Sequence, residues 1–369
     1  MANQEEKKDN AFVGFFKKIG TSTKSWFKDK GLAMKEWGQN SKEATKAWWG
    51  RLRGRTFKEN MKAFGRVCYN NKGWLWILPA FILLCIFTFY PIVNTFITAF
   101  KENYNRLNGS FAGIGFGNFK TAVTDNFFLV CLRNTVLFAF ISVPLSTILA
   151  LLISVALASI KPLQKAYQSI LFLPYLTNAL SIGAVFAAMF NVVGTKAQLA
   201  NGKGTWGLIN NMFGSHIHWV DGDASTIAMM VVVIVYEVWS GLPFKILILF
   251  GALQNVNKQY YDAAKVDGAN KFTTLWRITV PLISPMISYL VITGFIGGFK
   301  SYTAIVGIFG NKMGPSNQYE MGTIVGLIYK YLGEPTGVGT ASAAALILFG
   351  LIMIFTFINM QVSKKRVHY

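Results

Sequence analysis

Apolar residues in this chain gather into runs far longer than the one-sided stripe of a water-soluble helix. Six stand out, at 74–100, 134–160, 169–190, 226–249, 282–308 and 341–360, and each is nearly free of ionisable side chains. About 20 such residues carry an α-helix across ~30 Å of hydrocarbon, so each run predicts one crossing. None alternates apolar and polar residues with period two, which sets aside a transmembrane β-barrel. Pro79, Pro91, Pro144, Pro174 and Pro243 fall inside or beside the runs. Bilayer helices tolerate proline where neighbours satisfy the freed carbonyls. The pattern predicts an all-α integral membrane protein with six transmembrane helices.

The polar segments between the runs divide by charge. Lys161 and Lys165 mark one loop, Lys258, Lys265, Lys271 and Arg277 another, and Lys364-Lys365-Arg366 the tail. The positive-inside rule places these, and both termini, in the cytoplasm. Segments 101–133, 191–225 and 309–340 carry sparser, mixed charge and are expected outside. Composition agrees: 53% of the 369 residues are hydrophobic and 14% charged, against roughly a quarter charged in soluble domains. Met1 to Asn10 is polar with no apolar stretch behind it, so insertion is expected to begin at the first run. Cys68, Cys85 and Cys131 are scattered and suggest neither a disulfide framework nor a zinc site.

Residues 1–72 form a separate arm ahead of a six-span domain at 73–369, and hold 17 of the 36 Lys and Arg residues. Segment 15–58 falls into four registers of eleven, opened by Phe15, Trp26, Trp37 and Trp48, with Lys24, Lys35 and Lys46 in the tenth place. Eleven residues make three helical turns at ~3.67 per turn, so these aromatics return to one face. An amphipathic helix of this kind suits the membrane interface, with Lys stems reaching anionic headgroups. The plainer reading is a basic tail that enforces orientation, weakened as a helix by Gly20 and Gly31. Nucleic-acid binding leaves the aromatic spacing unexplained.

The loop at 258–281 carries a denser pattern. Helix formers run through Tyr260-Tyr261-Asp262-Ala263-Ala264-Lys265-Val266, Asp267-Gly268 breaks them, and a second amphipathic stretch ends at Pro281. Tyr261, Ala264, Phe272, Leu275 and Trp276 give apolar surface to a loop expected in water, which marks a docking face.

These residues resemble the EAA motif of permease subunits in binding-protein-dependent ABC importers: Glu-Ala-Ala, three residues, Gly, nine residues, Ile, any residue, Leu-Pro. Here Asp262-Ala263-Ala264, Gly268, Ile278 and Val280-Pro281 hold those places, with Asp for Glu at 262 and Val for Leu at 280. The resemblance covers most of 75–365. Arg133-Asn134-Thr135, Leu173-Pro174-Tyr175 and Trp239-Ser240-Gly241-Leu242-Pro243-Phe244 are similar to the carbohydrate-uptake branch, the maltose, glycerol-phosphate and multiple-sugar permeases. Met313-Gly314-Pro315 stands where that branch has Gly-Gly-Pro. The resemblance implies a type I ABC importer permease fold, with a cytoplasmic coupling helix that meets the ATPase through Asp262, Ala263, Ala264, Gly268, Ile278 and Pro281. It also implies the partners: ABC ATPase subunits, a second homologous permease subunit, and an extracellular or periplasmic solute-binding protein, at a bacterial cell membrane.

The chain has no Gly-x-x-x-x-Gly-Lys-Ser/Thr loop; at Gly202-Lys203-Gly204 neither the leading Gly nor the Ser/Thr is in place. It is therefore expected to be a transport subunit and not an enzyme, binding no cofactor itself, with ATP and magnesium handled by the partner ATPase. Charge at mid-bilayer costs ~2.5–3.5 kcal/mol on insertion scales, so Glu237 and Lys300 must face a partner or a wet cavity. Pairing with each other, or with the second subunit, is the plain alternative to a substrate role. In the sugar permeases it resembles, the pocket uses the Gly and the aromatic of the Gly-x-Pro-aromatic turn, here Gly241 and Phe244. Polar positions late in the fifth span, near Gly298, Ser301 and Thr303, complete it, although relatives carry Asn where this chain has Gly298 and Ser301. The candidate substrate path is thus Glu237, Gly241, Phe244, Gly298, Lys300, Ser301 and Thr303. His216 and His218 lack a third ligand at useful spacing, so no metal is expected. Asp221 and Asp223 either meet the binding protein or solvate their loop. The rival class is a secondary transporter or channel independent of an ATPase. It would need a relay of intramembrane acids, of which Glu237 alone qualifies, and it leaves the 258–281 loop unexplained. The sugar itself is not readable; an oligosaccharide is expected from the resemblance.

Overall fold

The computed structural model describes residues 72–366, apart from 161, 194–197, 199–200, 202–203 and 316–318. The eleven-residue repeat of the arm lies outside the described residues. Contacts divide the chain into two units at Phe89 and Tyr90. In the first, α1 (Lys72–Leu84) runs into a π-helical turn at Cys85–Phe89. Ile77, Leu78, Phe81 and Ile82 of α1 are exposed apolar side chains.

The second unit is built around one long helix. After α2 (Tyr90–Ala99), a two-stranded hairpin pairs β1 (Lys101–Glu102) with β2 (Gly113–Ile114), and α3 (Gly117–Thr124) follows. Glu102 Oε1 accepts from the Gly117 amide at 2.7 Å, placing a carboxylate where the helix N-terminus favours negative charge. Next, α4 (Phe128–Ser159) extends over 32 residues, or ~48 Å at 1.5 Å per residue. Its faces are covered by α8 (Thr226–Gln254), α11 (Ser284–Gly298) and α13 (Ile324–Leu332). Against α8, Ala150, Leu151 and Leu157 pack with Ile246, Leu249 and Phe250. Higher up, Cys131, Ala139 and Val143 pack with Phe295, Phe299, Ile324 and Leu327. The final helix, α14 (Val338–Arg366), adds Ala341, Ala344 and Leu348 to the same core and lies along α2.

Two predicted spans are broken. The third run folds as α5 (Gln164–Leu176) and α6 (Ala179–Phe190), bent by 95°. Pro174 sits in the 3-10 turn that closes α5, and Asn178 begins a new helix by accepting from the Leu180 amide at 2.9 Å. A side-chain cap of this kind satisfies an amide that a continuous helix would have bonded to its preceding turn. The fifth run differs from the expected crossing at 282–308. A helical stretch α10 (Lys271–Leu282) turns by 72° into α11; α11 stops at Gly298, and a separate short helix, α12 (Thr303–Phe309), follows. That helix crosses α6 closely: a Cβ on Gly307 would lie 2.8 Å from the Leu180 carbonyl oxygen and 2.9 Å from Gly183 Cα. Among the described residues, four helices are long and apolar enough to cross a membrane: Trp76–Ala99, Phe128–Ser159, Thr226–Gln254 and Val338–Lys364. The number rises to six if each bent pair is one span.

Candidate functional site

Of the sequence-predicted path residues, Glu237, Gly241 and Phe244 lie along α8 and Ser301 is brought against Glu237, whereas Gly298, Lys300 and Thr303 are not. Glu237 is half-buried, and its carboxylate accepts from Ser301 Oγ in the break between α11 and α12. Ser301 is buried and its carbonyl accepts from Thr323 Oγ1 at 2.8 Å; Thr323 in turn caps α13 through the Gly326 amide. Lys300 makes no pair with Glu237. Because α11 ends at Gly298, the chain turns there, so Lys300 faces out and Ser301 faces in. Thr303 is exposed at the start of α12. Gly298 serves helix packing, since a Cβ there would lie 3.2 Å from Ala139 Cα on α4. A Cβ on Gly241 would meet Ser146 at 3.8 Å and, among the described residues outside its own helix, nothing nearer, leaving room beside the helix.

Phe244 stacks on Tyr175, with ring centroids 5.8 Å apart and planes at 21°. Tyr175 belongs to the 3-10 turn at the α5–α6 break, so the bend in the third run carries an aromatic face to α8. Beside this pair lies a cavity of about 140 Å³ lined by Tyr175, Thr177, Ile182, Tyr236, Trp239 and Ser240, among others. Tyr236 donates its hydroxyl to the Ala179 carbonyl at 2.9 Å, and Trp239 packs on Phe186. The wall is therefore aromatic, with hydroxyl groups of Thr177, Tyr236 and Ser240 at its edge. Tyr175 and Trp239 stood out in the sequence as marks of resemblance; nothing local showed that they share a cavity with Tyr236, because the bend brings them together.

Lys245 went unread in the sequence, although the insertion cost that singled out Glu237 applies equally to it. It is buried on α8 and donates to the Val143 carbonyl at 3.2 Å, Ser146 Oγ at 2.5 Å and Thr147 Oγ1 at 3.1 Å, all on α4. The N-terminal end of α4 is tied down as well. Asn134 Nδ2 donates to the carbonyls of Glu320 and Gly322, and Thr135 Oγ1 accepts from the Ile324 amide at 3.0 Å. Asp125, just ahead of α4, accepts from Lys330 Nζ at 2.9 Å, the Tyr331 hydroxyl at 2.8 Å and the Phe127 amide at 2.8 Å. In and after α7 (Leu208–Phe213), ahead of α8, Asn210 accepts from Trp219 Nε1 and Ser215 Oγ, and His218 Nδ1 lies 2.8 Å from Asp221 Oδ2.

At the other end of α8 stands the predicted helix–turn–helix. Asn257 caps α9 (Lys258–Val266) through the Gln259 amide. The helix ends with Ala269 N–H donating to the Ala264 carbonyl and Gly268 N–H to the Lys265 carbonyl, with Gly268 at φ +69°. This pair of bonds around a left-handed residue is the Schellman ending, and it suits glycine. Asn270 then caps α10 through the Thr273 amide at 2.7 Å. Asp262 is exposed and pairs with Lys265 at 3.1 Å; Ala263 and Gly268 are also exposed, and Ile278 and Pro281 are half-buried. The apolar surface differs from the sequence expectation. Ala264 is buried at 5% exposure, and Tyr261 and Leu275 are half-buried, whereas Tyr260, Val266, Phe272 and Trp276 form the open face. The Tyr261 hydroxyl turns inward to Thr279 Oγ1.

The family described as "Binding-protein-dependent transport system inner membrane component" matches residues 74–369. Among relatives, the arabinooligosaccharides transport system permease protein AraP of Bacillus subtilis is 27% identical over 302 residues, 80% of this chain and 90% of that one. The multiple sugar-binding transport system permease protein MsmF of Streptococcus mutans is 27% identical over 295 residues, 79% of this chain and 95% of that one. Among solved structures, a chain of a bacterial ABC transporter involved in the import of the acidic polysaccharide alginate matches with a TM-score of 0.66. It is 19% identical, with 82% of this chain and 99% of that chain covered, a likeness that concerns the fold.

Proposed function

The chain belongs to the family of binding-protein-dependent transport system inner membrane components, and from that premise we propose that it is the transmembrane subunit of an ATP-driven carbohydrate importer. The observation that carries the reading is the capped α9–α10 pair, which continues directly from α8 and presents Tyr260, Val266, Phe272 and Trp276 to solvent. A separate ATPase docking on this face moves α9, and α8 transmits the movement to the bilayer-depth cavity. Asp262, Ala263, Ala264, Gly268, Ile278 and Pro281 are the coupling residues in this reading. A second permease chain completes the pore, and a solute-binding protein outside the membrane delivers the substrate. Each bent pair counts as one crossing, which gives six spans with both termini in the cytoplasm. The arm at 1–72 lies along the inner leaflet.

The carbohydrate assignment draws on the relatives' sugar substrates and on the cavity's chemistry. Aromatic faces at Tyr175, Tyr236 and Trp239 suit the C–H faces of a pyranose ring, and the Thr177 and Ser240 hydroxyls at the cavity's edge suit its hydroxyl groups. The test is uptake by the whole complex in proteoliposomes, with its ATPase, second permease and sugar-loaded binding protein. Uptake should need ATP inside the assembly's ATPase compartment and should ignore imposed ion gradients. Trp239→Ala should lower it by roughly tenfold, the effect of losing ~1.4 kcal/mol of ring contact. Uptake driven by an ion gradient without ATP would establish the secondary-transporter reading instead.

A further inference from the structure

Lys245 lies nine residues before the end of α8 at Gln254, and α8 leads through a short turn into α9. Its ammonium has three N–H donors, and three oxygens of α4 receive them: the Val143 carbonyl, Ser146 Oγ and Thr147 Oγ1. Among the described residues it makes no ion pair. The acceptors flank Pro144, where the missing amide already frees an α4 carbonyl. Ser142 and Thr147 hydroxyls also fold back onto backbone carbonyls of this turn. The third wall is α11: a Cβ on Gly294 would lie 2.9 Å from Val143 Cγ1 and 3.6 Å from Lys245 Nζ. Three helices therefore meet at one fully satisfied cation.

The apolar contacts further down the α4–α8 seam carry no directional requirement and tolerate an axial shift as far as close packing allows. A cation held by three particular oxygens does not. An axial shift of one residue's rise moves Nζ by ~1.5 Å along the helix and leaves a buried charge short of acceptors, the costly way to break such a site. We propose that Lys245 is a positioning residue, a register clamp that makes α4 follow α8 when the α9–α10 loop is moved. The inference rests on the importer reading. Stability alone gives no reason for a lysine here, since a packed apolar side chain of similar volume is often as good or better in place of a buried charge.

The experiment compares the complete importer with its K245M form in proteoliposomes. K245M should assemble with an unchanged or higher melting temperature and keep binding-protein-stimulated ATP hydrolysis. It should import at least about fivefold less sugar per ATP, the lower end of usual coupling factors. An unchanged ratio in the assembled variant overturns the clamp. So does a parallel fall of melting temperature, hydrolysis and uptake, which marks a structural role only. If K245M does not assemble, S146A keeps the charge and removes the nearest acceptor: a lowered ratio supports the clamp and an unchanged ratio overturns it. A readout independent of transport uses spin labels at Leu145 on α4 and Leu247 on α8, both exposed, with the native cysteines replaced. K245M should broaden a narrow distance distribution; equal widths overturn the clamp. Wild-type protein that shows the narrow distribution, broadened in K245M, but no ATP-dependent uptake overturns the importer reading and leaves only the fixed α4–α8 register at Lys245.

Discussion

At Asp125 several opposed effects meet on one side chain. Burial alone would raise its pKa, but the Phe127 amide, the Lys330 ammonium and the Tyr331 hydroxyl outweigh that and hold it below its ordinary 3.8. Burial and the Asp125 carboxylate in turn push the Tyr331 hydroxyl up. A carboxylate whose folded pKa is depressed adds stability above its unfolded pKa and loses it as pH falls through the folded value. The tie between α4 and α13 should therefore persist down to about pH 4, near the unfolded value for Asp, and weaken below it. Hydrogen exchange across 324–332 measures this: wild type should gain exchange only in acid, whereas Asp125→Asn should exchange faster at pH 7 and lose the acid step. Equal protection in both proteins at pH 7 would show that the cluster does not hold α13. Glu237 is governed by a similar local economy, its carboxylate engaged by Ser301 in place of the cation that sequence reasoning offered.

Among the elements, the α9–α10 loop is the one whose form follows most directly from its letters. Asn257 and Asn270 cap the two helices, and Gly268 ends the first in the left-handed conformation. Among the described residues, no atom beyond its chain neighbours lies within 4 Å of a Cβ built on Gly268, so substitution strains the backbone without a clash there. Gly268→Ala should cost about 1–2 kcal/mol in the left-handed region and still assemble. Gly268→Trp should also place bulk on the open face and uncouple hydrolysis from uptake. ATPase stimulation by the loaded binding protein is the measurement, and stimulation at the wild-type level in Gly268→Trp would remove this face from the coupling scheme. The broken α5–α6 and α11–α12 elements obey a different logic. Their breaks carry Tyr175 and Ser301 to α8, so the interruptions supply an aromatic and a polar group to the candidate site.

At the scale of the whole molecule, the proposed topology has a direct check. Leu107, in the segment after α2, and Val266, at the end of α9, are exposed at 79% and 88%. In intact cells a membrane-impermeant thiol reagent should label Leu107→Cys and leave Val266→Cys unlabelled until the membrane is opened. Labelling of both from outside would rule out six crossings with the coupling loop in the cytoplasm.

The amino-acid sequence by itself determined that this chain crosses a membrane, because burying apolar runs in hydrocarbon depends on their length and composition alone. It also determined the turn within the 258–281 loop, since the caps and the left-handed glycine act within a few residues of one another; Pro281, expected to end the second helix, lies inside it, and the chain bends only after Leu282. Glu237 and Ser301 were both legible as candidates for the same reason: their polarity at bilayer depth is a local property. Their pairing was not, nor was the outward turn of Lys300, because α11 ends where Gly298 must pack against Ala139 of a distant helix. Lys245 lay in plain view inside an apolar run, yet its three acceptors are about a hundred residues away on α4. Tertiary structure alone decided these contacts, and with them the Tyr175–Trp239 cavity, because a buried polar group is defined by what its neighbours can accept, and those neighbours are brought close by packing and not by chain order.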